Sequence, residues 1–273
     1  MQINYELISP NGNITALVPF TKKDNYIAAN FSTIAQKIID KNPQTEQVGF
    51  VQKSEQGYQF QMAGGEFSGN GLRAAGYYFM KRFKTKNTFK VNVLNIGDLN
   101  ILNDKNNQIW AQIPLPRELK TQKINQELTK IELLGTTNVI KQTSKLVSKK
   151  QLFKQTKEIM DQFNLWRKPG LAMIFLTNQP KTKIQVIYWV KDVKSLIYES
   201  ACGSGSAAVA ILKSLNLKSN NNMTIYQANG SVISTKIKFA KSTNTINSLY
   251  ITGPINYLTS DKITINQERT YVK

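Results

Sequence analysis

The stretch Phe67-Ser68-Gly69-Asn70-Gly71-Leu72-Arg73 has a counterpart, Ala201-Cys202-Gly203-Ser204-Gly205, about half the chain further on. Each stretch places one side chain with a hydroxyl or thiol group, Ser68 or Cys202, directly before a Gly-x-Gly sequence that opens an apolar segment. Matching motifs at half-chain separation indicate an internal duplication. We therefore expect two similar domains, each with one glycine loop that leads into a buried helix.

Together the two loops have the properties of a carboxylate-binding site. Backbone N–H groups at a helix N-terminus lack partners within the helix, and the positive end of the helix dipole lies there. Glycine lets a ligand approach these groups closely. We predict that the N–H groups around Gly69, Asn70, Gly203 and Ser204 bind the α-carboxylate of an amino acid, because that contact stabilises the carbanion left when the α-proton is removed.

Composition limits the chemistry that this chain can perform. Its 273 residues include one cysteine and no histidine. A single cysteine excludes an intramolecular disulfide and fits a reducing compartment, so the protein is expected in the cytoplasm. Without histidine, acid–base chemistry falls to carboxylates, lysines or the thiol, and no metal site is expected.

The charge distribution argues against a nucleic-acid partner. The formal net charge is +19, yet the 36 lysines and arginines are spread along the chain without a block of five consecutive like charges. That spread is typical of a solvated surface. No apolar run approaches the roughly 20 residues that span a bilayer, and residues 1–5 lack a signal-peptide layout, so no membrane association is expected.

Hydrophobic periodicity gives the predicted secondary structure. One amphipathic helix is expected from an N-cap at Asp24 to about residue 40, and further helices at 72–83, 152–163 and 206–215. Strands are predicted at 14–18, 48–52, 58–61, 89–94, 98–102, 109–113, 131–140, 172–176, 184–190, 223–227 and 232–237. A type I′ turn at Asn229-Gly230 is expected to join the last two strands. The predicted domains cover residues 1–115 and 116–256, with 257–273 returning to the first domain.

Cys202 is the most reactive side chain that the sequence offers. A lone cysteine is most often a buried small hydrophobe. A thiol at the start of a helix, however, is stabilised as thiolate by the helix dipole. The sequence therefore predicts that Cys202 has a lowered pKa and acts as a base or nucleophile at neutral pH.

The two loops resemble the active-site signatures of the cofactor-independent diaminopimelate epimerase family, in which each loop supplies a cysteine. Asn13 before the first predicted strand and Gln47 before Val48 also agree, so the resemblance covers essentially the whole chain. It implies an α+β fold of two pseudo-symmetric domains, each a β-barrel-like sheet around a central helix, with the active site in the interdomain cleft. It also implies no cofactor: one thiol takes the α-proton and the other returns it from the opposite face.

Departures from the diaminopimelate enzymes bear on the substrate. The arginine that binds the distal carboxylate is missing, because residues 198–201 lead straight into Cys202. The shortened first loop, Gly64-Gly65-Glu66-Phe67, resembles the histidine racemases of the superfamily, which make D-histidine for opine metallophores. The resemblance implies an amino-acid racemase, with histidine as the first candidate substrate. Side chains expected to hold the amino group or side chain of the substrate are those of Asn13, Glu46, Gln47, Glu66 and Glu199.

Ser68 stands where the family has its first catalytic cysteine. A serine hydroxyl is far less acidic than a thiol and has no histidine here to activate it. Either Ser68 was introduced to stop turnover, which the near-isosteric exchange favours, or the chain is a natural one-sided or inactive relative. Epimerisation of diaminopimelate or another amino acid, and amino-acid binding without catalysis, stay open as alternatives. The protein is expected to be a monomer or a homodimer.

Overall fold

The computed structural model describes residues 1–21, 24–178, 180–192, 194–217, 220–240 and 245–265. The first half of the chain contains β1 (Gln2–Pro10), β2 (Thr15–Pro19), α1 (Asn25–Ala29), α2 (Phe31–Lys41), β3 (Gln47–Ser54), β4 (Gly57–Met62), α3 (Gly69–Phe83), β5 (Thr88–Val93), β6 (Gly97–Asn103) and β7 (Ile109–Gln112). The second half contains β8 (Thr121–Lys123), β9 (Leu128–Leu133), β10 (Thr136–Gln142), α4 (Lys149–Gln162), a 3-10 turn (Leu165–Arg167), β11 (Gly170–Thr177), β12 (Lys183–Val190), β13 (Ser195–Glu199), α5 (Gly203–Leu217), β14 (Asn221–Tyr226), β15 (Val232–Phe239) and β16 (Ile246–Thr252). The last described strand is β17 (Ile255–Thr264).

Strand pairing repeats between the two halves. From β1 to β7 each strand pairs with the next, and the pairs run antiparallel, parallel, antiparallel, parallel, antiparallel and antiparallel. The series β9, β10, β11, β12, β14, β15 and β16 pairs in the same sequence of directions. Helices also enter at equivalent places: α2 and α4 after the second strand, α3 and α5 after the fourth. This repeat is the internal duplication that the two glycine loops predict.

Among the described strands, two pairs connect the halves. β7 pairs with β16, and β17 runs antiparallel to β1 from Gln2 opposite Thr264 to Pro10 opposite Ile255. The chain therefore returns to its first half through β17. The predicted return continued to residue 273, and positions 266–273 lie outside the described residues. The predicted limits of the two domains stay a prediction.

The strands of each half wrap around one buried helix, as expected from the apolar character of these segments, and all the described strands pair into one continuous sheet. Residues of α3 and α5 belong to one hydrophobic cluster with strands of both halves. Small side chains are needed at the tightest contacts. A Cβ on Gly76 of α3 would lie 2.9 Å from Ile101 Cγ2 of β6, so glycine allows the helix and strand to approach. None of the described helices combines the length and apolar character needed to cross a bilayer.

Two local predictions are wrong. The single helix expected from Asp24 is two helices, because the backbone leaves the helical conformation at Asn30 (φ −131°). The Asp24 side chain makes no cap hydrogen bond to α1 and accepts one from the Thr21 N–H at 2.7 Å. At Asn229-Gly230 the hairpin is present but the turn is not type I′, because positive φ is found at Gly230 (84°) and not at Asn229.

Candidate active site

The helices α3 and α5 begin against each other at the contact between the two halves. A Cβ on Gly203 would lie 3.2 Å from the backbone nitrogen of Asn70 and 2.8 Å from Ile251 Cδ1. A Cβ on Gly69 would also lie 2.8 Å from Ile251 Cδ1. Because both positions are glycine, the two helix starts can approach each other closely.

Ser68 and Cys202 occupy equivalent positions at these helix starts. Ser68 Oγ accepts a hydrogen bond from the Gly71 N–H at 2.9 Å. Cys202 Sγ accepts one from the Gly205 N–H at 3.2 Å. In both cases the donor is three residues further on, so the duplication extends to the side-chain contact at each helix N-terminus.

One cavity brings together ten of the predicted site residues. They are Glu46, Gln47, Glu66, Ser68, Gly69, Asn70, Glu199, Cys202, Gly203 and Ser204. Three of these side chains are carboxyl groups, and no described lysine or arginine lines the cavity, although the chain carries a formal charge of +19.

Asn13 lies behind the cavity wall and positions its neighbours. Its side-chain amide donates to Glu46 Oε2 at 2.9 Å, and its side-chain oxygen accepts from Gln47. Glu46 also accepts from the Ser200 hydroxyl and, at 3.3 Å, from the Ser200 N–H. Asn13 is thus a support for Glu46 and Gln47, and Glu46 connects the first half to the loop that carries Cys202.

Burial raises the pKa of all three carboxyl groups. For Glu46 the hydrogen bonds from Ser200 and Asn13 oppose this effect without cancelling it. For Glu66 the N–H groups of its own loop oppose it in the same way. The pKa of Glu199 is raised to about 8, first by burial and then by the charges of Glu46 and Glu66. Near neutral pH, Glu199 is therefore largely protonated.

The prediction that Cys202 has a lowered pKa is wrong. Burial raises the pKa of the Cys202 thiol above its usual range, and the neighbouring Glu199 carboxylate raises it further. The Ser204 hydroxyl and the Gly205 N–H favour the thiolate, but their effect is smaller than the cost of desolvation. Cys202 rests as a thiol, which is the form that donates a proton.

Several residues that support the site were not singled out from the sequence. Tyr188, Val190 and Ile197 complete the cavity wall, with Phe67 of the first loop. Gln227 accepts a hydrogen bond from the Cys202 N–H at 3.0 Å. No local pattern marks these positions, because they reach the cavity only through the pairing of distant strands.

Arg73, within the first motif, supports the contact between the halves. It is fully buried and donates to Asn11 Oδ1 at 2.5 Å and to the backbone oxygen of Gly253. Asn11 in turn accepts, through its backbone oxygen, from Asn229 Nδ2 at 2.6 Å. No local sequence pattern predicts this role, because Asn11 and Gly253 lie 62 and 180 positions away from Arg73 along the chain.

The chain matches the family described as the histidine racemase CntK N-terminal domain over residues 2–263. A histidine racemase from Fusobacterium nucleatum is 26% identical, over 97% of this chain and 97% of its own length. In fold the chain is similar to a Bacillus anthracis phenazine biosynthesis protein of the PhzF family, with a TM-score of 0.68, 13% identity and coverage of 97% of this chain and 100% of that one. It is also similar to a probable proline racemase from Agrobacterium radiobacter K84, with a TM-score of 0.67, 9% identity and coverage of 98% and 94%.

The duplicated fold and these relatives define an isomerase of the amino-acid racemase class. The family match over residues 2–263 identifies a particular family within that class. The chain belongs to the histidine racemase CntK family.

Proposed function

We propose that this protein is a histidine racemase in which Cys202 supplies one proton-transfer group and Ser68 occupies the place of the other. The observation that carries the proposal is the cavity between two helix N-termini, with Ser68 and Cys202 at equivalent positions on its wall. The helix starts receive the α-carboxylate, and Glu46, Gln47 and Glu199 surround the ammonium group.

In the two-base reaction, a base on one face removes the α-proton and an acid on the opposite face supplies another. The N–H groups around Gly69, Asn70, Gly203 and Ser204 stabilise the carboxylate, onto which the carbanion charge spreads. Cys202 donates a proton as a thiol. When the ammonium group of the substrate enters, its positive charge favours the thiolate, so Cys202 can also remove a proton from its own face.

Ser68 limits the reaction to one face. Among the hydrogen bonds of the described residues, Ser68 Oγ accepts one from the Gly71 N–H and has no carboxylate or amine beside it to take its proton. Loss of one proton-transfer group costs roughly 10² to 10⁴-fold in rate. We expect this chain to exchange the α-proton of one enantiomer with solvent and to invert it very slowly.

Histidine is favoured over diaminopimelate by the charge of the cavity. The distal carboxylate of diaminopimelate would enter a cavity with three carboxyl groups and no described cation. Two like charges in a buried site repel, and no hydrogen-bonded ion pair compensates their desolvation. An imidazole carries an N–H donor and no negative charge, so it fits these carboxyl groups.

Chiral chromatography of L-histidine and meso-diaminopimelate, each incubated with the Ser68→Cys protein, tests the assignment. We expect racemisation of histidine at a rate at least about 100-fold above that of the chain with Ser68, because both faces then carry a thiol. Inversion of diaminopimelate alone would support the epimerase alternative. Binding of histidine without turnover in the Ser68→Cys protein would support an amino-acid binding protein.

The remaining expectations about partners follow from this proposal. The ligand is a small amino acid, and no nucleic acid or membrane takes part. The cytoplasm suits an enzyme whose single thiol must stay reduced. We expect a monomer or a homodimer, and the site needs no second chain, because both proton-transfer positions line one cavity of a single chain.

A further inference from the structure

The turn between β14 and β15 contacts the loop that carries Cys202 at two points. The Cys202 N–H donates to Gln227 Oε1 at 3.0 Å. The Asn229 N–H donates to the backbone oxygen of Ser200 at 3.2 Å. The side chain of Asn229 also reaches the first half of the chain, where its Nδ2 donates to the backbone oxygen of Asn11 at 2.6 Å. The turn therefore connects the catalytic loop to the first half of the molecule.

Gln227 closes a ring of hydrogen bonds around the backbone of Cys202. Gln227 Nε2 donates to Ser206 Oγ at 2.9 Å, and Ser206 Oγ donates to the backbone oxygen of Cys202 at 2.7 Å. Together with the bond from the Cys202 N–H, the ring engages both backbone polar groups of this residue. All three residues are buried, with at most 2% of their surface exposed. A buried network whose members are all satisfied holds its residues rigidly.

The ring completes a capping box that α5 cannot form from its own residues. In a capping box the N-cap side chain accepts the N–H of the third helical residue, whose Glu or Gln side chain accepts the N-cap N–H. Ser148 and Gln151 make both contacts at α4. At α5 the third helical residue is Gly205, whose N–H donates to Cys202 Sγ at 3.2 Å. A Cβ at Gly205 would lie 3.1 Å from the same sulfur, so the acceptor comes from Gln227 instead.

The equivalent helix start in the first half lacks this ring. Ser68 Oγ accepts the Gly71 N–H, as Cys202 Sγ accepts the Gly205 N–H. Among the hydrogen bonds of the described residues, however, no side chain accepts the N–H of Ser68. Because α3 begins without such a ring, the ring is not required to start a helix in this fold. It is found on the side of the cavity that carries the thiol.

We propose that Gln227 is a positioning residue for Cys202, which fixes the loop backbone so that the thiol faces the α-carbon of the bound substrate. Gln227 does not line the catalytic cavity, so it acts through Cys202. By accepting the Cys202 N–H it also leaves the N–H groups of Gly203 and Ser204 as the ones that receive the α-carboxylate. This inference rests on the proposed function and deepens it.

The α-proton exchange of histidine in D₂O, measured for the Gln227→Met variant, tests the proposal. Methionine keeps the length of the side chain and removes both hydrogen-bonding groups. We expect kcat for exchange to fall by about 10- to 100-fold and KM to stay within about threefold, because a small displacement of a catalytic group slows the chemical step. Ser206→Ala opens the ring with a smaller change, so it should lower kcat in the same way and by less. It keeps the proposal testable where Gln227→Met folds poorly.

Gln185→Met is the matched control. Gln185 is also a buried glutamine that bonds a backbone N–H and a backbone oxygen, both of Val147, at 3.1 and 3.0 Å. It lies outside the catalytic cavity, so its variant should exchange histidine like the unsubstituted chain. Equal losses of kcat in the two methionine variants, or a rise in KM with kcat unchanged in Gln227→Met, would overturn the inference.

Alkylation of Cys202 by iodoacetamide tests the positioning without a substrate. A loop released from the ring exposes the thiol, so Gln227→Met should be alkylated several-fold faster than the unsubstituted chain, and Gln185→Met at the unsubstituted rate. If the unsubstituted chain exchanges no histidine, the proposed function fails, and the alkylation rates still decide whether Gln227 holds Cys202. Equal alkylation rates in the two variants would show that it does not.

Discussion

At the scale of single residues, Cys202 and Ser68 occupy equivalent positions but differ in acidity. The acidity depends both on the chemical group, thiol or hydroxyl, and on its surroundings. Each side chain accepts one N–H from its own helix start. Cys202 is additionally buried beside Glu199, and both effects raise its pKa. The sequence predicts the helix start correctly but not this balance, because desolvation and the Glu199 contact depend on how distant strands enclose the loop.

Alkylation of Cys202 by iodoacetamide measures this balance directly, since the chain has one cysteine. The thiolate is the reactive form, so a raised pKa predicts slow alkylation at pH 7 that accelerates as the pH rises beyond the usual cysteine range. Glu199, with a pKa of about 8, is ionised at pH 9 and disfavours the thiolate there. Glu199→Gln should therefore alkylate several-fold faster at pH 9.

The matched control for this experiment is Glu132→Gln, which removes a carboxyl group away from the cavity and should alkylate at the native rate. The rates follow from the mass shift of the intact protein. Equal rates for the native chain and Glu199→Gln across the pH range would show that Glu199 does not act on the thiol.

At the scale of elements, the site depends on the close approach of α3 and α5. The sequence predicts both helices and the glycine loops, because apolar periodicity and glycine pairs are local signals. It does not predict the break between α1 and α2, the strand β1 or the short strand β13. The pairing of β1 with β17 joins residues more than 240 positions apart, and only the complete sheet stabilises it.

Gly203→Ala tests whether this approach creates the carboxylate site. The added Cβ would lie 2.8 Å from Ile251 Cδ1 and 3.2 Å from the Asn70 nitrogen, so the helix starts must separate. We expect a loss of about 1 to 3 kcal/mol in unfolding free energy, typical of overpacking, and a loss of histidine binding measured by calorimetry. Urea titration gives the stability.

Gly76→Ala provides a control with the same substitution in α3 but away from the cavity. Its Cβ would lie 2.9 Å from Ile101 Cγ2, so a comparable loss of stability is expected, with histidine affinity unchanged. Equal effects of the two variants on affinity would mean that the helix starts do not form the binding site.

At the scale of the whole molecule, the duplicated halves place two equivalent loops against each other and leave one cavity between them. The resemblance of the two motifs is sufficient to predict the duplication, the fold class and ten residues of the cavity wall. It does not reveal the Arg73 and Asn11 contacts that connect the halves. These contacts form between side chains that meet only after the strands of both halves have paired.

The central claim is that Cys202 transfers a proton on one face while Ser68 leaves the opposite face without a base. Incorporation of α-deuterium into L- and D-histidine in D₂O, followed by NMR and chiral chromatography, tests it in the native chain, Ser68→Cys and Cys202→Ala. We predict exchange without inversion for one enantiomer in the chain with Ser68, exchange with inversion in Ser68→Cys and neither in Cys202→Ala. Equal inversion by the chain with Ser68 and by Ser68→Cys, or exchange that survives in Cys202→Ala, would contradict the claim.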